Sequence, residues 1–342
     1  MSAEAASDVE PEVEFERRGR VAEIALNRPR AINALTYGMV TAIRAALEEW
    51  ADDDTVHTVL LTGRGERGLC AGGDIVSLYR DMVSGDGIAS AEFWRDEYEL
   101  NAYIARYPKP FVAIMEGVTL GGGVGLSGHA SLRVVTERSK VGMPETTIGF
   151  TPDVGGTWLL SHAPGELGTY LGLTGGSMGA ADAILTGFAD HFVPSDRLGA
   201  LITELETGDA RAVVERHAQP APPGELAAAR AWVDPAFSAP TVADILDRLR
   251  SDERGRATAE VIAAKSPTAV SVTLEALRRA ANLPSLEAAL AQELSVSLHS
   301  LSSHDFREGI RAQVIDKDRQ PKWQPATLNE VDALTIATYF EG

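Results

Sequence analysis

The residues best suited to chemistry are a carboxylate in apolar company and three glycine-rich runs. Glu145 follows Pro144 in an otherwise apolar strand–turn segment, an unusual place for an idle acid. The runs are Cys70-Ala71-Gly72-Gly73-Asp74, Gly121-Gly122-Gly123-Val124-Gly125 and Pro152-Asp153-Val154-Gly155-Gly156. Each of the first two follows a strand-like apolar stretch and precedes a helix-like one. Glycine lets the backbone turn closely at such places. Free N–H groups at two turns facing one point would stabilise a developing oxyanion. One run alone is more simply a corner; two together are harder to explain that way. On its own terms Asp153 reads as a turn residue capping Gly155 and Gly156. Glu97, in the charge-rich stretch FWRDEYEL, reads as a solvated carboxylate.

Rival chemistries are weaker. Residues 123–128 (GVGLSG) fit G-x-G-x-x-G, and Glu145 lies roughly where the ribose-binding acid of a dinucleotide fold would. The motif falls mid-chain, however, behind an additional pair of glycines. No Walker A sequence is present. Ser127 misses the G-x-S-x-G elbow because position 129 is His. The seven His residues are scattered without metal-ligand spacing, so no metal and no separate cofactor are expected. Cys70, the only cysteine, reads as a small buried hydrophobe and can form no intrachain disulfide. A reducing cytoplasm is the expected compartment.

The elements that must position these residues alternate. Residues 20–26 (RVAEIAL) have the period of a half-buried strand. Thr36 is placed to cap a helix with Met39, Val40, Ile43, Leu47 and Trp50 on one face. Residues 56–62, 111–115 and 132–136 read as further strands, giving an α/β layering with parallel pairing. The stretch 218–224 (AQPAPPG) is a linker signal, and helical periodicity dominates 225–317. Ser266-Pro267 reads as an N-cap followed by proline in the first turn. The expected organisation is a disordered acidic tail over 1–12, an α/β core over 13–217 and an α-helical region over 218–342.

The chain has 342 residues, 44% of them hydrophobic, which is enough for a sizeable core. Its net charge of −18, without a basic stripe, argues against nucleic acid as a partner. No apolar run approaches the ~20 residues of a bilayer span, so no membrane partner is expected. The acidic N-terminus reads as neither a signal nor a transit peptide.

LNRPRAINAL (26–35), CAGGDI (70–75) and LGGGVGL (120–126) resemble segments of the crotonase superfamily. EYELN (97–101), MPETTIGFTPDVGGT (143–157), KSPTAVSVTLEALR (265–278) and DFREGIRAQVIDKDRQPKW (305–323) resemble its 3-hydroxyisobutyryl-CoA hydrolase branch. The resemblance spans most of 13–325. It implies a spiral of ββα repeats followed by a helical C-terminal region, and an acyl-CoA substrate. It also implies an oxyanion hole from the Gly73 and Gly122 amides, and Glu145 as nucleophile or general base. Asp153 would contact the acyl group or position water, and Glu97 would contact the substrate through an acyl hydroxyl. The hydratases of the superfamily use two glutamates. One matches Glu145; the other falls at Gly125, so hydrolysis is favoured over hydration. An enoyl-CoA hydratase or isomerase is the runner-up, and a non-catalytic acyl-CoA-binding protein a third reading. Arg28, Arg30, Lys317, Arg319 and Lys322 are candidate phosphate contacts without a specific assignment. The superfamily often forms trimers or paired trimers, so a homo-oligomer is a further expectation.

Overall fold

The computed structural model describes residues 10–341. Most of the expected acidic tail therefore lies outside the described residues. Within them, Glu12 is tied down: its carboxylate accepts from Thr36 Oγ1 at 2.6 Å and pairs with Arg28 at 3.0 Å.

Among the described residues nine strands occur in chain order: β1 (Val13–Arg18), β2 (Val21–Leu26), β3 (Thr58–Gly63), β4 (Phe111–Ile114), β5 (Val118–Leu120), β6 (Leu132–Val135), β7 (Lys140–Gly142), β8 (Ser177–Met178) and β9 (His191–Phe192). The larger sheet has the order β1-β2-β3-β4-β6-β9, and the smaller β5-β7-β8. Beyond the antiparallel β1–β2 hairpin, the larger sheet is parallel throughout. The chain steps from one sheet to the other as it advances. β4 joins the larger sheet and β5 the smaller; β6 and β7 repeat the move. Isolated bridges Leu35–Gly73 and Cys70–Thr119 extend the second layer to the glycine turn at 70–74.

The parallel strands are buried on both faces. In β4, Phe111 and Ala113 face the main core, whereas Val112 and Ile114 face a second cluster with Leu198, Leu201, Val213 and Val214. Two-sided burial explains the unbroken apolar runs in the sequence. It also corrects one expectation. Residues 21–26 are buried throughout rather than alternately. The inward Glu23 is tolerated because Thr62 donates to it at 2.7 Å and Arg18 and Arg64 pair with it at 3.2 Å.

Helix α1 (Tyr37–Ala51) starts at the expected cap, with Thr36 Oγ1 accepting from Met39 N, and buries the five expected residues. The turn at 70–74 leads into α2 (Ile75–Ser84), capped by Asp74. It is followed by α3 (Ile88–Ala105), α4 (Gly122–Ser127) and α5 (Gly156–Ser161). From residue 220 onward the described chain carries helices and no strand. The helix Pro267–Ala280 begins as expected, with Ser266 accepting from Ala269 N at 3.0 Å. Phe306, Ile310 and Leu277 from this region share the main core with β-sheet residues, so the helices pack directly onto the α/β part.

Candidate active site

The glycine turns at 71–73 and 121–122, helices α2 and α3, the segment 144–154 and Phe306 line a cavity of about 200 Å3. Its walls carry Gly73, Glu97, Gly122, Glu145 and Asp153, so all five residues singled out from the sequence meet there. Trp94, Phe150 and Phe306 stack into an aromatic side, with ring centroids 5.4 Å and 4.5 Å apart along the stack.

The glycines are required by space as well as by conformation. Gly72 has φ +110° and Gly121 φ +50°, both in the region that disfavours side chains. A Cβ on Gly121 would stand 2.7 Å from Glu145 Oε1. One on Gly122 would stand 2.6 Å from Glu97 Oε1 and 3.3 Å from Gly73 N. The two glycine turns thus abut, with a carboxylate close to each. Among the described residues, neither Gly73 N nor Gly122 N donates to a protein acceptor. Gly122 is the first residue of α4, where the helix itself offers no partner.

Glu145 opens a short 3-10 turn, Glu145–Ile148. Its Oε2, like Glu97 Oε1, is buried without a hydrogen-bond partner. Burial, then the charge of Asp153, raises both acids well above the usual carboxylate range. Burial also pushes Asp153 up, to about 7, against the pull of a 2.7 Å hydrogen bond from Tyr98 OH.

Several contributors were not legible as site residues. Tyr98 also contacts Ser297 Oγ at 2.7 Å, linking α3 to the helix Leu286–Ser300. Lys265 Nζ donates to Thr147 Oγ1 at 2.8 Å, bracing the turn that carries Glu145. Burial pushes its ammonium down to about 8, while Glu145 pulls it the other way. Glu293 accepts from Gly155 N, so the capping expected of Asp153 is supplied from another helix. The loop 153–155 is strained: Val154, β-branched, has φ +52°. Its carbonyl accepts from His129 Nε2 at 2.8 Å, and burial pushes that imidazole down to about 4, keeping it neutral. A periodic signal did exist for Glu293, which falls between buried Leu290 and Val296 on one helix face.

The rival nucleophiles fall away. Ser127 Oγ donates to Gly123 O at 2.6 Å and is buried. Cys70 is fully buried, and that burial pushes its thiol up to about 12. Among the described residues, no group of three or more His, Cys, Asp or Glu is arranged to hold a metal. Nor is any helix there long and apolar enough to cross a membrane. None of the five candidate phosphate-binding cations lines the cavity; Arg28 is engaged by Glu12 and Asp74.

A family model described as Enoyl-CoA hydratase/isomerase matches residues 21–340. The chain belongs to this family. Its fold is accordingly that of the crotonase superfamily, with a helical C-terminal region. Among curated relatives, a protein of Danio rerio named "3-hydroxyisobutyryl-CoA hydrolase, mitochondrial" is 39% identical, covering 96% of this chain and 88% of its own. The Homo sapiens protein of the same name is 36% identical, covering 98% and 90%. Among solved structures, one titled as a carnitinyl-CoA dehydratase from Mycobacterium thermoresistibile is 50% identical with a TM-score of 0.94, covering 97% of this chain and 96% of that one. One titled as an enoyl-CoA hydratase from Rhodobacter sphaeroides is 43% identical with a TM-score of 0.91, covering 96% and 97%. The word mitochondrial in the relatives' names overturns the expectation of a cytoplasmic protein. A lone buried cysteine argues only against an oxidising compartment. It does not separate one reducing compartment from another.

Proposed function

We propose that this chain hydrolyses 3-hydroxyisobutyryl-CoA to 3-hydroxyisobutyrate and CoA, as a step of valine breakdown. The observation that carries the reading is the meeting of two acceptor-free glycine amides with the partnerless Glu145 in one cavity. The names of the curated relatives support it.

In this scheme the thioester oxygen accepts from Gly73 N–H and Gly122 N–H. Charge grows on that oxygen as the carbonyl carbon becomes tetrahedral, so the two donors act mostly in the transition state. Each such donor is worth about 3 kcal/mol. Ionised Glu145 then serves in one of two ways. As nucleophile it bonds to the carbonyl carbon and expels the CoA thiolate, which takes up a proton. Water cleaves the resulting mixed anhydride. As general base it takes a proton from a water that attacks the carbonyl directly. Both routes consume one water and yield acid and thiol. Single turnover in 18O-labelled water separates them: label appearing in Glu145 requires the nucleophile. Asp153 and Glu97 hold the acyl end or the water.

Hydration is the second reading, favoured by the titles of the two solved structures. It meets an obstacle at Gly125, where the second glutamate of a hydratase would stand. A Cβ there would lie 2.7 Å from Val154 Cβ and 3.0 Å and 3.1 Å from the Asn101 amide atoms. The second carboxylate is missing, and its space is filled.

The deciding experiment measures thiol release from 3-hydroxyisobutyryl-CoA by the wild type and Glu145→Gln. Rapid release that collapses in the variant is expected. No release by the wild type, together with loss of enoyl absorbance from crotonyl-CoA, would establish the hydratase instead.

A further inference from the structure

Asn101 lies on α3, is fully buried, and neither of its amide atoms has a hydrogen-bond partner. A side-chain amide offers two donors and an acceptor with two lone pairs, so leaving both ends unpaired in the interior is unfavourable. The neighbouring polar groups behave differently. Tyr98 is engaged by Asp153 and Ser297, and Glu293 by the loop at 155–157. Of the buried atoms without a partner, those of Asn101, Glu97 Oε1 and Glu145 Oε2 belong to this region, and the others lie on Arg18, Glu23, Thr119 and Ser195.

Glu97 and Asn101 are four residues apart on one helix and therefore neighbours on its surface. No hydrogen bond joins them. Glu97 lines the cavity; Asn101 stands one helical turn on, behind the wall, where the Cβ position of Gly125 is flanked by its amide and by cavity-lining Val154. Only the lack of a side chain at Gly125 lets the amide reach this place, because a Cβ there would crowd it at 3.0 Å.

We propose that Glu97 and Asn101 together bind the hydroxyl of the acyl chain, which makes Asn101 a specificity-determining residue. The inference rests on the hydrolase reading and deepens it. A hydroxyl gives one hydrogen bond and accepts another, which matches a carboxyl oxygen on one side and an amide on the other. An acyl chain ending in methyl can do neither and leaves both groups unpaired. Sites built to hydrogen-bond a substrate hydroxyl discriminate strongly against the analogue lacking it, for this reason. A resident water filling the gap would serve both acyl chains equally and give no discrimination.

The test compares kcat/KM for 3-hydroxyisobutyryl-CoA and isobutyryl-CoA in the wild type, Asn101→Leu and Asn101→Ala. The wild type is expected to prefer the hydroxylated ester. Both variants are expected to lose about tenfold of that preference, the size of one hydrogen bond, through a fall for the hydroxylated ester alone. Leucine keeps the volume and alanine avoids overpacking, so a folding failure of one leaves the other informative. If both esters slow equally, or the ratio holds, Asn101 is structural and the proposal is overturned while hydrolysis stands. If the wild type releases thiol from neither ester, the hydrolase reading fails first and the proposal falls with it.

Discussion

Glu293 and Glu145 are both fully interior acids raised above their usual range, yet they are treated in opposite ways. The oxygens of Glu293 accept from Gly155 N at 2.6 Å, Thr157 N at 2.8 Å and Thr157 Oγ1 at 2.5 Å. Glu145 keeps one oxygen without any donor, next to a cavity. A buried carboxylate whose lone pairs are filled is holding a loop in place. One left unfilled beside a cavity is available to a ligand.

Substitution should break this contrast most sharply at Glu145. Glu145→Gln is expected to lower thiol release by about 10²–10⁴, the range of a lost general base. Thermal stability should hold or rise, because no acid need then be kept protonated in the interior; differential scanning calorimetry beside the assay checks both. Glu293→Gln should do the reverse. One carboxylate oxygen becomes an NH2 facing backbone N–H groups, costing about 1–3 kcal/mol for an unsatisfied buried donor. The melting temperature should drop, with release per folded molecule changing far less. The smallest effect is on pH dependence. Asp153, raised to about 7, keeps its proton in the folded protein while the unfolded chain ionises near the ordinary value of 3.8. The folded state therefore binds more protons across this window, and stability should fall as pH rises from about 4 to 7, then level off. Asp153→Asn should flatten that slope in urea titrations. kcat/KM should climb as pH rises through about 7, where Asp153 gives up its proton.

Local signals in the chain were readable wherever one element decides the outcome. Thr36 with the stripe from Met39 to Trp50, and Ser266 before Pro267, each obey rules confined to a single helix. The glycine turns at 70–74 and 121–125 were readable because backbone geometry is local. Glu145, Asp153 and Glu97 required the family resemblance for their roles, and the cavity brings them together. Strand β1 was hidden because VEFERR has outward charges and lies on a sheet edge. Inward Glu23 was hidden because the arginines that neutralise it come from β1 and from the segment after β3. Glu293 lies about 140 residues from the loop it supports, a separation at which a helical period reports burial but not purpose.

Val154 has one consequence beyond the reaction. A β-branched residue held at φ +52° stores about 1–3 kcal/mol of backbone strain, and the loop bears it only because His129 grips one side and Glu293 the other. Glycine would relax this position, yet it would also remove the side chain packed against Gly125 and slacken the hold on Asp153. Val154 is also buried in the main core, so the cavity and the looser unfolded chain that glycine brings offset the strain it relieves, and laboratory evolution for heat resistance alone should keep the valine.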